Sequence, residues 1–184
     1  MVLTKTPICN FGEKAKDFNL KSIENKQVSL KDVSGKNGTL IMFICNHCPY
    51  VKAIINDLVE DVKFLENLGI KSVAIMSNDV KNYPEDSFEN MISFSKSNNF
   101  TFPYVIDETQ NIAKEYGAVC TPDFFGYNKN LELQYRGRIR ELKDLKTVKV
   151  GDSDLRLAMK LVAETGNGPK NQIPSMGCNI KWFK

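Results

Sequence analysis

Seven consecutive residues, Thr39-Leu40-Ile41-Met42-Phe43-Ile44-Cys45, carry no charge, and they run straight into Asn46-His47-Cys48-Pro49. A tract that is apolar at nearly every position, rather than at every second one, fits a strand covered on both faces. Proline at 49 fits the first residue of a helix, because the N–H it lacks would have no intrahelical partner there. Cys48 therefore falls at or beside the N-cap, and Cys45 at the strand end. Unbonded N–H groups and the positive end of the helix dipole favour an anion at that place, and the thiolate is the reactive form of cysteine. The spacing predicts an acidic, nucleophilic dithiol that solvent can reach.

The flanking sequence supplies a frame for it. After Pro49, apolar residues at Val51, Ile54, Ile55, Leu58, Val59, Val62, Leu65 and Leu68 recur at helical spacing until Gly69. Ile70 to Met76 reads as a second strand, parallel to the first through a right-handed crossover. Pro84-Glu85-Asp86 opens a further helix with Phe88, Met91, Ile92 and Phe94 inward; Tyr104–Asp107 is a strand and Thr109–Tyr116 a short helix. Asp123–Tyr127 pairs with Leu131–Arg136 through Asn128-Lys129-Asn130. The last helix runs from about Ser153 to Glu164. Ahead of all this, Asp17–Leu20 and Gln27–Leu30 form an amino-terminal β-hairpin. The fold class is α/β, a central mixed sheet flanked by helices. The tail, 166–184, holds the only Trp, Trp182, and is expected to dock on the body.

At 184 residues the chain has the size of one domain, 1–184. A net charge of +3 without a Lys/Arg block gives no footprint for nucleic acid, and Arg136, Arg138 and Arg140 read as a solvated strand face. No segment has the apolar length that spans a bilayer, and Met1–Pro7 has no apolar signal region, so a cytoplasmic protein is expected, with no membrane partner. Its five cysteines, Cys9, Cys45, Cys48, Cys120 and Cys178, are an odd number and too sparse for a disulfide scaffold.

Two residues between Cys45 and Cys48, with the second at a helix start, let the sulfurs approach bonding distance without unfolding anything. Half a structural zinc site is the alternative, but it lacks a second ligand pair. His47, the only histidine, either tunes the thiol through its charge or is an exposed loop residue. Val119-Cys120-Thr121-Pro122 fits an ordinary trans proline opening a strand or a cis bond that turns the Thr121 backbone toward the dithiol; local sequence alone favours trans. Cys120 and Cys178 read as buried cysteines; the alternative is that docking of the tail brings Cys178 near the active site as a further resolving thiol or a soft-metal ligand. Cys9 precedes the first expected strand and has no assigned role.

Four stretches, Cys45–Val51, Gly117–Phe125, Tyr135–Arg138 and Pro174–Trp182, together resemble the thioredoxin-like, peroxiredoxin-like proteins of bacteria related to alkyl hydroperoxide reductase and thiol-specific antioxidant. The resemblance implies a thioredoxin-like fold, a dithiol at Cys45 and Cys48, and a cis Pro122 facing it. Carried over from the thioredoxin superfamily, Cys45 is the nucleophile and Cys48 the resolver, with His47, Thr121 and Pro122 completing the site. In a peroxiredoxin, Cys48 occupies the peroxidatic place and Cys45 resolves; yet Ile41 stands where that pattern has proline, Cys45 replaces its hydroxyl residue, and Cys120-Thr121-Pro122 stands where its arginine belongs. Thiol–disulfide exchange survives these departures. A disulfide-containing protein or small molecule is the expected substrate, with a separate reductant and no cofactor. Peroxide reduction and soft-metal binding by Cys45, Cys48 and Cys120 or Cys178 are the alternatives.

Overall fold

The computed structural model describes residues 2–184; Met1, the first residue of the stretch Met1–Pro7 that lacks an apolar signal region, lies outside them. The strands in chain order begin with β1 (Leu3–Lys5), β2 (Asn19–Ser22), β3 (Gln27–Ser29) and β4 (Gly38–Phe43), and the long helix α1 (Pro49–Asn67) follows. Next come β5 (Ile70–Met76), a 3-10 turn (Pro84–Asp86), α2 (Phe88–Ser97), β6 (Tyr104–Ile106), α3 (Asn111–Glu115), β7 (Cys120–Thr121), β8 (Asp123–Tyr127) and β9 (Leu133–Tyr135). The chain closes with a small hairpin of β10 (Leu142–Lys143) and β11 (Lys146–Thr147), then α4 (Asp154–Thr165) and β12 (Met176–Asn179).

Seven strands form one mixed sheet in the order β3-β2-β6-β5-β4-β8-β9, and β1-β12-β7 form a second, three-stranded sheet. β4 and β5 are parallel, with Gly38 opposite Ile70 through Phe43 opposite Ile75; β8 lies antiparallel on the other side of β4. All six residues of β4 are buried. Its alternate side chains feed two separate apolar clusters: Leu40 and Met42 pack with α1 and α4, Ile41 and Phe43 with Tyr116, Phe125 and Ile180 on the opposite face. This is why the tract lacks the alternation of a half-exposed strand, and the layout is the expected thioredoxin-like fold.

Several sequence expectations change. The amino-terminal hairpin β2/β3 is the edge of the main sheet, since β2 pairs with β6. A strand precedes Cys9, because β1 pairs with β12. Pro84-Glu85-Asp86 forms a separate 3-10 turn, and α2 starts anew at Ser87, whose hydroxyl accepts from Asn90 N. Met91 and Ser95, four residues apart, are its buried face; Ile92, one position round the helix, is 41% exposed. The three arginines are not a solvated face. Arg136 is buried with Nη2 3.0 Å from Asp123 Oδ2, its guanidinium stacked 4.3 Å over Phe125, while Arg138 pairs with Asp154 and Arg140 with Asp57.

Candidate active site

The loop from Ile44 to Cys48 is held at both ends by backbone geometry. Ile44 N–H still follows the sheet, donating to Ile75 O at 3.1 Å, and Pro49 is the first residue of α1 with Cys48 at its N-cap. Between them, the loop is tied down by one carboxylate. Asp86 Oδ1 accepts from Asn46 N–H (2.8 Å) and His47 N–H (3.2 Å), and Oδ2 takes the His47 ring Nδ1 (2.7 Å) and Asn78 Nδ2–H (2.8 Å). Asn46 adds a bond to Glu85 O and accepts from the buried Tyr104 hydroxyl. Asp86 is fully buried, and its role is absent from the sequence reading, where it is one acid in a helix-opening Pro-Glu-Asp. Nothing local marks it, since the loop residues it binds, Asn46 and His47, lie 40 and 39 residues earlier.

His47 is held by this carboxylate rather than placed freely beside the thiols. The hydrogen bond to Asp86 is the largest reason its pKa lies above the ordinary value, with burial opposing it. Its ring stacks on Tyr83 at 5.9 Å. Its first partner is thus the Asp86 carboxylate that ties the loop.

The three sulfurs come next. Cys48 Sγ lies 3.2 Å from Thr121 O and 3.0 Å from Cys178 Sγ, and Cys45 Sγ lies 3.3 Å from Thr121 Oγ1. The Thr121–Pro122 peptide is cis, in line with the resemblance rather than with the local preference for trans. Thr121 stands directly opposite Cys178 in the β7/β12 pairing. The tail thus docks as expected and brings Cys178 to the dithiol, which the preferred reading as an ordinary buried cysteine left out. Gly177 makes the approach sterically feasible: a β-carbon there would stand 2.0 Å from Thr121 O.

Cys120, one residue from Thr121 and so on the other face of the strand, has its thiol 3.6 Å from Pro122 O, and burial raises its pKa. Cys9 is half-buried elsewhere; burial pushes its pKa up to about 11, although Gln172 hydrogen-bonds to it.

Electrostatics divides the dithiol unequally. A hydrogen bond from Cys45 is the largest influence on Cys48; with further bonds from Cys178 and the Val51 backbone it outweighs burial and brings the Cys48 pKa down to about 5. Cys45 moves the other way, because it keeps the proton of that shared bond, is buried, and faces the Asp86 carboxylate. Cys48 is thus the more acidic of the two thiols, whereas the resemblance carries Cys45 over as the nucleophile. The pair is also not reachable from solvent as expected. Cys45 is 1% and Cys48 0% exposed, and Cys178, on the strand laid across them, is 2% exposed. A cleft of about 220 Å³ is lined by Tyr50, Pro122, Ser175 and Met176, neighbours in sequence of the site residues.

The three-thiol set of the soft-metal alternative is not the cluster that the structure brings together. Among the described residues, the cluster with metal-ligand spacing is Cys45, His47 and Asp86 rather than a three-thiol set, and the Asp86 oxygens already accept the loop's hydrogen bonds.

A central strand that hands a Cys-x-x-Cys to a helix start, opposite a cis-proline, defines a thioredoxin-like oxidoreductase. The comparisons agree with that class. A structure described as an uncharacterized conserved protein from Geobacillus kaustophilus superposes with a TM-score of 0.93 at 39% identity, over 100% of this chain and 97% of the other. Sporulation thiol-disulfide oxidoreductase A of Bacillus subtilis (strain 168) is 27% identical over 117 residues, covering 64% of this chain and 67% of that protein. Thiol-disulfide oxidoreductase ResA of Bacillus thuringiensis subsp. konkukian (strain 97-27) is 28% identical over 134 residues, covering 69% of each. The chain belongs to the AhpC/TSA family, whose model matches residues 11–142. Among the described residues, no helix is long and apolar enough to cross a membrane.

Proposed function

We propose that the protein is a thiol–disulfide oxidoreductase acting through the Cys45–Cys48 dithiol, with Cys48 as the attacking sulfur. The observation that carries this is the position of Cys48 at the N-cap of α1, stabilised as a thiolate by the Cys45 thiol and by backbone N–H groups. The Cys48 thiolate attacks one sulfur of a substrate disulfide, the substrate S–S bond breaks, and a mixed disulfide forms on Cys48 while the departing thiolate takes a proton. Cys45 serves this step as the donor that keeps Cys48 ionised. A dithiol reductant returns the protein to its starting state, which fits the cytoplasmic location that belongs to the same proposal.

Turnover of an insulin-type disulfide substrate with a dithiol reductant tests it. Cys48→Ser brings turnover to the level of buffer and reductant alone. Cys45→Ala slows attack at pH 6 and recovers toward pH 9, because loss of the thiol donor raises the Cys48 pKa. Full activity in Cys48→Ser overturns the assignment. Family membership carries a second reading, peroxide reduction. The donors to Cys48 are thiol and backbone groups, however, and the buried Arg136 is bound by Asp123. Peroxide consumption by the wild type at the rate of a simple thiol eliminates that reading.

A further inference from the structure

We propose that Cys178 is a third redox residue of this site: it resolves the mixed disulfide on Cys48, and the oxidised protein carries a Cys48–Cys178 bond rather than a Cys45–Cys48 bond. The proposal rests on Cys48 being the attacking sulfur, as set out above.

Three observations carry it. The Cys178 and Cys48 sulfurs are 3.0 Å apart, only about 1 Å beyond the length of a disulfide bond. Cys178 is held there by pairing on both sides, opposite Leu3 in β1 and opposite Thr121 in β7. The docking is built from many bonds: Ser175 Oγ–H donates to Pro122 O (2.8 Å), Ile180 N–H to Val119 O (3.2 Å) and Lys181 N–H to Asn78 Oδ1 (2.9 Å), while Gln110 Nε2–H donates to Lys181 O (2.8 Å). Cys45, by contrast, is engaged with the Thr121 hydroxyl at the strand end and with Cys48 as a proton donor.

The step balances. In the mixed disulfide, Cys48 Sγ is bonded to a substrate sulfur. Cys178 loses its proton, attacks Cys48 Sγ, and the bond to substrate breaks as the Cys48–Cys178 bond forms; the departing substrate thiolate takes the proton. Across the two attacks the substrate disulfide gains two electrons and becomes two thiols, and the Cys48/Cys178 pair loses two and becomes a disulfide. A dithiol reductant reverses the oxidation. β12 covers Cys48, so the strand laid over the attacking sulfur is the one that carries the resolving thiol.

The first test needs no variant. The full chain is oxidised with oxidised glutathione, remaining thiols are alkylated, and the disulfides are mapped by peptide mass spectrometry. A Cys48–Cys178 linkage with Cys45 alkylated is the expected result. A Cys45–Cys48 linkage overturns the inference and leaves the proposed function standing, whereas an oxidised protein with no disulfide on Cys48 overturns both. In Cys178→Ala the glutathione adduct on Cys48 lasts longer by on the order of 100-fold or more, as loss of an intramolecular thiol at close range requires. An adduct lifetime unchanged from wild type counts against the proposal.

Discussion

Helices α1 and α4 pack against each other, yet they begin in opposite ways. α4 starts at Ser153, whose hydroxyl accepts from Arg156 N–H and donates to the buried Asp61 carboxylate, itself paired with the Arg156 guanidinium at 2.9 Å. α1 starts at Cys48, which makes no oxygen cap of this kind. A hydroxyl cap uses the free N–H groups to fix the helix end. A thiol at the same position leaves their field to stabilise its own negative charge. One helix start is a structural joint, and the other is a reagent.

The largest expected difference between them lies in pH. Reduced Cys48 titrates near pH 5 against 9.0 for an ordinary thiol, so thiolate absorbance in the ultraviolet rises through about pH 5 and this step vanishes in Cys48→Ser. A thiol whose folded pKa is depressed adds stability that is complete above the unfolded pKa and lost as pH falls through the folded one. Cys48 therefore contributes stability that grows from pH 5 toward pH 9, seen in denaturant titrations as the difference between the reduced wild type and Cys48→Ser, and oxidation of Cys48 removes the contribution. At the α4 joint, Arg156→Ala leaves a buried carboxylate unpaired. Chemical denaturation shows a loss at or below the lower end of the about 3–5 kcal/mol typical of broken buried pairs, because the Arg156 side chain keeps 23% exposure. Ser153→Ala costs about 1 kcal/mol by the same measurement, the usual value of a lost cap.

The smallest change concerns the loop leading into α1. Asp86→Asn removes the main reason for the raised His47 pKa, so the His47 midpoint, followed by NMR of its ring, falls toward the ordinary value. In the wild type, the stability from the raised His47 pKa is complete below its unfolded pKa and fades as pH rises through the folded one. Asp86, whose pKa is lowered by His47 and Asn78 against the opposing effect of burial, loses its own contribution only as pH falls into the acidic range. The pair thus holds the loop best between those limits.

The main sheet was legible because its signals are local. An unbroken apolar tract, a proline at a helix start and the 3.6-residue repeat of α1 each follow from a few neighbouring residues. What escaped is long-range. Asp86 lies 39 residues from the loop it binds, and Arg136 is buried where Asp123, Phe125 and the Gly117 carbonyl meet it. Cys178 meets Cys48 only once β12 has been laid between β1 and β7. The unequal division of the dithiol has the same origin: spacing puts both cysteines at the helix start, but the Cys48 hydrogen bond, the burial and the Asp86 carboxylate that together raise the Cys45 pKa exist only in the assembled fold.

The three-stranded sheet that closes the site joins opposite ends of the sequence, with Leu3 opposite Cys178. Contacts spanning that much chain are slow to form, and short peripheral strands open before a buried central sheet. During folding, and again under mild heat or denaturant, the sulfurs stand uncovered while the seven-stranded sheet is intact. Loss of chemical shielding precedes loss of shape, so oxidants meet these thiols in a molecule that is otherwise still native.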